Sequence, residues 1–124
     1  MSPTVLTIDD DAEITELIRF HLTNAGFEVL SASTIGEALA IMRTRHLDII
    51  LLDLILPDVH GYSLFELMRA GERRTEIPVV VVSGCRSRDA QRLAQQFGAR
   101  EYVMKPFLPA DLVGCVCRTL QGSV

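Results

Sequence analysis

No stretch of this 124-residue chain stays apolar long enough to cross a bilayer. The run Ile49-Ile50-Leu51-Leu52 is cut by Asp53 and then by Pro57. The N-terminus, Met1-Ser2-Pro3-Thr4, sets no basic residues ahead of an apolar segment. No secretion signal is read there, so the expected compartment is the cytosol, without membrane contact. Basic residues are in the minority: 12 Lys and Arg against 16 Asp and Glu leave a net charge of −4. That excludes a global positive field for holding nucleic acid directly. Arg69, Arg73 and Arg74 form a local cluster that reads as a solvated helix end, where cations suit the helix dipole. Cysteine is scarce too. Cys85, Cys115 and Cys117 make an odd count without a C-x-x-C pair, which argues against a disulfide framework. His21, His46 and His60 are scattered, so zinc finds no close ligand set. The cysteines read as small apolar residues in a reducing compartment.

What is present is 48% hydrophobic and 23% charged, the balance of a folded chain rather than a disordered one. The length suits one domain over residues 1–124, with a core from about 4 to 120. Strand-like and helix-like patterns alternate along it, the rhythm of βα units. Strands are predicted over residues 4–8, 27–31, 48–53, 77–82 and 101–104. Ile14, Leu17, Ile18, His21, Leu22 and Ala25 keep helical spacing, and Gly26 stops that helix. Thr34-Ile35-Gly36-Glu37 and Ser63-Leu64-Phe65-Glu66 both carry the capping-box signature of a helix start. Residues 87–97 and 109–120 complete five helices, the last with Pro109 in its first turn. Five strands in strict alternation with helices predict an α/β fold, a doubly wound parallel sheet covered on both faces.

The polar residues then fall into place. Asp9 and Asp10 follow the first strand, Asp53 closes the third, Ser83 closes the fourth, and Lys105 follows the fifth. In an open parallel sheet that edge is where ligands bind. Three carboxylates within roughly 5 Å would repel by about 3 kcal/mol per pair at an effective dielectric of about 20. Lys105 offsets only part of this. Such a group must take up protons or bind a cation, and oxygen-only ligands favour a hard one such as Mg²⁺. A carboxylate beside Mg²⁺ and a lysine is placed to act as a nucleophile toward a phosphoryl group. Ser83 offers a hydroxyl to one of the transferring oxygens. Asp11, by contrast, reads as a helix N-cap.

At these residues the sequence resembles the receiver domain of two-component response regulators. The likeness runs from Val5 to about Leu120. It is carried by Val5-Leu6-Thr7-Ile8-Asp9-Asp10-Asp11, by the loop from Leu51 through Asp53 and Pro57 to Gly61, by Pro78 through Ser83-Gly84, and by Tyr102-Val103-Met104-Lys105-Pro106-Phe107. The resemblance implies a flavodoxin-like sheet of order 2-1-3-4-5, an order that strand and helix patterns alone do not give. It implies that Asp53 accepts a phosphoryl group from a histidine kinase or phosphotransfer protein. Asp10 would bind Mg²⁺ directly, Asp9 mainly through water, and the Ile55 backbone carbonyl would be a further ligand. Lys105 would contact the phosphoryl group, across a cis Lys105–Pro106 bond, and Gly84 would leave that group room. Ser83 and Tyr102 would act as the switch pair, altering the surface of the fourth helix, fifth strand and fifth helix. That surface would bind a downstream effector or a fused output domain. The chain is then a phosphoacceptor rather than an enzyme that turns over a substrate. His60 and Leu56 depart from the common pattern without touching the chemistry.

Other readings use the same residues. An Asp-nucleophile phosphatase or dehalogenase usually carries a second Asp two positions on, where this chain has Ile55. A flavin carrier needs a Ser/Thr/Gly-rich loop after the first strand, where Asp9-Asp10-Asp11 would repel phosphate. A receiver-like interaction module that is never phosphorylated is disfavoured by intact Asp53 and Lys105.

Overall fold

A computed structural model describes residues 2–71 and 76–122. Arg73 and Arg74 of the expected cluster lie outside these residues. The elements are β1 (Thr4–Ile8), α1 (Ala12–Asn24), β2 (Glu28–Ala32), α2 (Ile35–Thr44) and β3 (Ile49–Leu52). They continue with α3 (Ser63–Ala70), β4 (Val79–Ser83), α4 (Arg88–Phe97), β5 (Glu101–Met104) and α5 (Pro109–Gln121). The strands form one parallel sheet in the order β2-β1-β3-β4-β5, the flavodoxin-like arrangement. No helix among the described residues is long and apolar enough to cross a membrane.

The near-continuous apolar runs of β1, β3 and β4 are buried along their whole length, as strands covered on both faces should be. Because side chains alternate, each strand feeds two cores. Leu6, Ile8, Ile50, Leu52, Val79 and Val81 meet Ala38 and Met42 of α2, Leu64, Phe65 and Met68 of α3, and Ala94 of α4. Val5, Ile49, Leu51, Val80 and Val82 meet Ile18 and Leu22 of α1 and Leu112, Cys115 and Val116 of α5. Each fully buried aliphatic contributes about 1.5–3 kcal/mol relative to exposure. The two cores clamp the sheet and fix where its carboxyl edge lies. On the β2 edge, the Arg19 guanidinium donates to the Val29 carbonyl (2.9 Å) and to Ser31 Oγ (2.8 Å), covering part of an unpaired strand.

The helix starts follow the sequence with one exception. Asp11 caps α1, accepting from the Glu13 and Ile14 amides (2.9 and 3.3 Å). Thr34 caps α2, accepting from the Glu37 amide (3.0 Å). The Glu37 carboxylate reaches back to the amide and hydroxyl of Ser33 (2.8 and 2.6 Å), one residue further than a simple capping box. The second expected box does not form. Tyr62 at the start of α3 is already helical and no side chain caps it. The Phe65 amide that Ser63 would have capped bonds the Tyr62 carbonyl (3.1 Å), and the Ser63 amide that Glu66 would have met bonds the His60 carbonyl (2.9 Å), so the turn ahead of the helix has already taken the donors of the box. Gly26 and Gly98 end α1 and α4 at φ +98° and +114°, a region only glycine enters freely. Arg69 is more than a solvated charge: it donates to the Phe97 carbonyl (2.7 Å) and ties the end of α3 to that of α4.

Candidate functional site

The parallel register delivers the chemistry to one edge. Asp53 follows β3 directly, its amide bonded to the Ile8 carbonyl (2.9 Å). Asp9 follows β1, its amide bonded to the Ala32 carbonyl (3.0 Å). The Lys105 amide bonds the Ser83 carbonyl (2.9 Å), which ties the ends of β4 and β5 together. The Lys105–Pro106 peptide bond is cis. Carboxylate oxygens of Asp9, Asp10 and Asp53 all lie within 4.8 Å of one another. Asp9 and Asp53 are buried and Asp10 is exposed.

Lys105, the chain's only lysine, bridges two of the three. Its Nζ donates to Asp9 Oδ2 at 2.6 Å and to Asp53 Oδ2 at 3.4 Å. Asp9 is thus the closer partner, and its second oxygen accepts from the Asp11 amide (2.9 Å). Asp53 Oδ1 accepts a longer bond from the Ile55 amide (3.4 Å). Among the described residues, Asp10 makes no hydrogen bond or ion pair, and the Ile55 carbonyl accepts none. Burial pushes the Asp53 carboxyl above its ordinary range; Lys105 pulls it back and Asp9 pushes it up further. For Lys105 burial works against the charge, yet Asp9 and Asp53 together hold the ammonium above its ordinary value. The balance is a buried, under-neutralised cluster with oxygen donors only, which fits Mg²⁺ rather than a softer metal.

Ser83 is 1% exposed and accepts from the Cys85 amide (3.2 Å). Tyr102 is half-buried, and its hydroxyl donates to the Cys85 carbonyl (2.7 Å). Burial raises the Tyr102 phenol, and Ser83 and Tyr102 both bond the backbone of Cys85, Ser83 through its amide and Tyr102 through its carbonyl. A cavity of about 300 Å³ opens beside Asp9 and Asp10. A larger one, about 910 Å³, lies at the opposite edge among Thr4, Phe27, Glu28 and Asp48, away from this cluster.

The edge therefore gathers Asp9, Asp10, Asp53, Ser83, Lys105 and Tyr102, with the Ile55 side chain 70% exposed beside Asp53. One participant carried no clear sequence signal. The Asp58 carboxylate accepts from the Ile35 and Gly36 amides (3.2 and 3.1 Å), tying the loop after Asp53 to the start of α2. Desolvation opposes its ionisation, but those amides outweigh it and hold the carboxyl below its ordinary range. The loop is also closed at its base. The Gly61 amide bonds the Leu54 carbonyl (2.7 Å), and a Cβ at Gly61 would stand 2.5 Å from the Asp53 carbonyl oxygen.

Residues 5–116 match the family model described as response regulator receiver domain. The phosphate regulon transcriptional regulatory protein PhoB of Pseudomonas aeruginosa is 36% identical over 110 residues, 89% of this chain and 48% of that protein. The DNA-binding response regulator MtrA of Mycolicibacterium paratuberculosis is 32% identical over 123 residues, 99% of this chain and 53% of that protein. The chain thus spans about half the length of the curated relatives it matches. Among solved structures, a response regulator receiver domain protein (CheY-like) from Methanospirillum hungatei superposes with a TM-score of 0.89 at 30% identity, covering 99% of this chain and 97% of that one.

Proposed function

This chain belongs to the response regulator receiver domain family, and from that premise we propose that Asp53 is its phosphoacceptor, with Asp9, Asp10, Asp53 and the Ile55 carbonyl as the Mg²⁺ site. Phosphorylation on an aspartate and Mg²⁺ at an acidic pocket are general to the family. The observation that carries the assignment to Asp53 is its position: buried at the end of β3, 3.4 Å from the sole lysine and within the carboxylate cluster. Asp10, exposed and without a protein partner among the described residues, suits direct ligation; Asp9, held by Lys105 and the Asp11 amide, suits an outer role.

In this reading a carboxylate oxygen of Asp53 forms a bond to phosphorus while the donor's bond to phosphorus breaks, and the donor leaves as imidazole or a carboxylate. When bound, Mg²⁺ would neutralise charge on the transferring oxygens. Lys105 shares that task from the β5 side. Gly84, where an added Cβ would meet nothing within 4 Å, leaves room for the phosphoryl group. Ser83 donates its hydroxyl to a phosphoryl oxygen and so loosens its bond to the amide of Cys85, the residue whose carbonyl holds Tyr102. The face of α4, β5 and α5 then shifts population between two packings. The donor is a sensor histidine kinase or phosphotransfer protein in the cytoplasm. The readout is a downstream effector or a fused output domain, in keeping with the DNA-binding name of one relative. The module is one domain over residues 1–124, and it catalyses only its own phosphorylation and dephosphorylation.

The test is intact mass after acetyl phosphate with Mg²⁺. One phosphoryl group is expected, lost with excess chelator and absent from Asp53→Asn. An unchanged mass overturns the assignment and leaves a non-phosphorylated interaction module; a mass that still rises in Asp53→Asn overturns it by placing the acceptor at another residue.

A further inference from the structure

The chain has two tyrosines, and both brace the same segment. Tyr102 reaches from β5 to the Cys85 carbonyl, just ahead of α4. Tyr62 reaches from the start of α3 to the Ala90 carbonyl in the first turn of α4 (3.0 Å). The Tyr62 ring also lies between two others. It stacks on His60 (centroids 4.7 Å apart, 21° between planes) and on Phe97, the last residue of α4 (4.9 Å, 15°). One side chain therefore touches α4 near both ends, which are seven residues or about 10 Å apart along a helix.

Tyr62 is coupled just as closely to the acceptor loop. It follows Gly61, which leaves no room for a side chain against the Asp53 carbonyl and whose amide bonds the Leu54 carbonyl. Its own amide meets His60 Nδ1 (3.3 Å). A displacement of the backbone behind Asp53 cannot leave Tyr62 in place. Helix α4 has the smallest buried face of the five helices, since Ala94 alone among its ten residues is buried. Elements with so little buried apolar surface sit at the low end of local stability.

We propose that Tyr62 is a second coupling residue between the Asp53 loop and α4, acting alongside Tyr102. Its ring carries the loop's position to the end of α4, and its hydroxyl carries it to the first turn. The proposal rests on the phosphoacceptor reading for what moves the loop, but the brace itself exists in the resting protein. Tyr62 is a positioning residue and touches no phosphoryl group.

The test uses Tyr62→Phe, which keeps the stacked ring and removes the hydroxyl, with Tyr102→Phe in parallel. Amide hydrogen exchange is followed across residues 86–97, with and without Mg²⁺ and beryllofluoride, and phosphoryl incorporation from acetyl phosphate is measured separately by mass. In the resting Tyr62→Phe protein, exchange in the first turn of α4 rises about fivefold, the factor that loss of one net hydrogen bond supplies. The change in α4 exchange caused by beryllofluoride shrinks at least twofold, while the mass gain at Asp53 is retained. Tyr102→Phe leaves Tyr62 as the only tyrosine, and its emission changes when beryllofluoride binds. Resting exchange equal to wild type, an undiminished beryllofluoride response, or constant Tyr62 emission in a protein that does take the phosphoryl group overturns the proposal. Failure of wild type to take the group sinks the phosphoacceptor reading instead, and the resting exchange of Tyr62→Phe still decides the brace.

Discussion

Gly61→Ala and Gly84→Ala make the same chemical change near Asp53, and the structure assigns a large loss of stability to the first and almost none to the second. A Cβ at Gly61 would lie 2.5 Å from the Asp53 carbonyl oxygen and 2.8 Å from Leu54 Cα. Both neighbours are backbone, and the Asp53 amide is pinned to Ile8 at 2.9 Å. Reaching an ordinary 3.4 Å contact needs a shift of 3.4 − 2.5 = 0.9 Å in a segment with little freedom to give. Overpacking of this kind costs about 1–3 kcal/mol. Stretching the 2.7 Å bond from Gly61 to Leu54 adds up to about 1 kcal/mol. The sum, about 1–4 kcal/mol, corresponds to a Tm roughly 4–15 °C lower for a chain of this length. A Cβ at Gly84 meets nothing within 4 Å, so stability should stay within about 0.5 kcal/mol of wild type. Phosphorylation should nevertheless slow in Gly84→Ala, because the methyl group narrows the space beside Ser83. Urea unfolding followed by far-ultraviolet circular dichroism, with mass-detected phosphorylation, separates the two. Gly61→Ala within about 0.5 kcal/mol of wild type, or Gly84→Ala as destabilised as Gly61→Ala, would refute the reasoning.

Three further outcomes follow from the same geometry. Asp53→Asn should stabilise the metal-free protein at neutral pH. A raised carboxyl favours the protonated folded state, so its contribution is lost as pH rises from the ordinary value near 3.8 through the raised one; unfolding in chelator from pH 3 to 7 should show the Asn advantage growing with pH. Burial pushes the Cys115 thiol up to about 11, so at pH 8 iodoacetamide should label Cys85 and Cys117 well before Cys115, and the stability Cys115 contributes should fall as pH rises from 9 toward 11. Ile55→Asn should shorten the life of phospho-Asp53 several-fold, because an apolar side chain at the exposed mouth cannot orient water and an amide can; decay no faster than wild type counts against this.

The elements and the acidic edge were legible because their signals are local. Alternation of side chains, glycine stops and carboxylates at strand ends are written within a few residues of each other. Boundaries moved slightly: β2 runs over Glu28–Ala32 rather than 27–31, and β4 over Val79–Ser83 rather than 77–82, since Pro78 has no amide to donate and meets β3 only through its carbonyl, which accepts from Ile50. What the sequence hid was long-range. Asp58 serves amides more than twenty residues away, and Lys105 sits nearer Asp9 than Asp53, a choice made by the ends of β1 and β5 rather than by any motif. Ser63 misled for a related reason, because the turn ahead of it had already used the donors a cap would take.

The central claim rests on one carboxyl. After treatment with acetyl phosphate and Mg²⁺, borohydride reduces an aspartyl phosphate to homoserine, and fragment masses locate the altered residue. The account predicts homoserine at position 53 and nowhere else, dependent on both the phosphodonor and the metal. Homoserine at another aspartate, or none in protein that has gained a phosphoryl group, would contradict it.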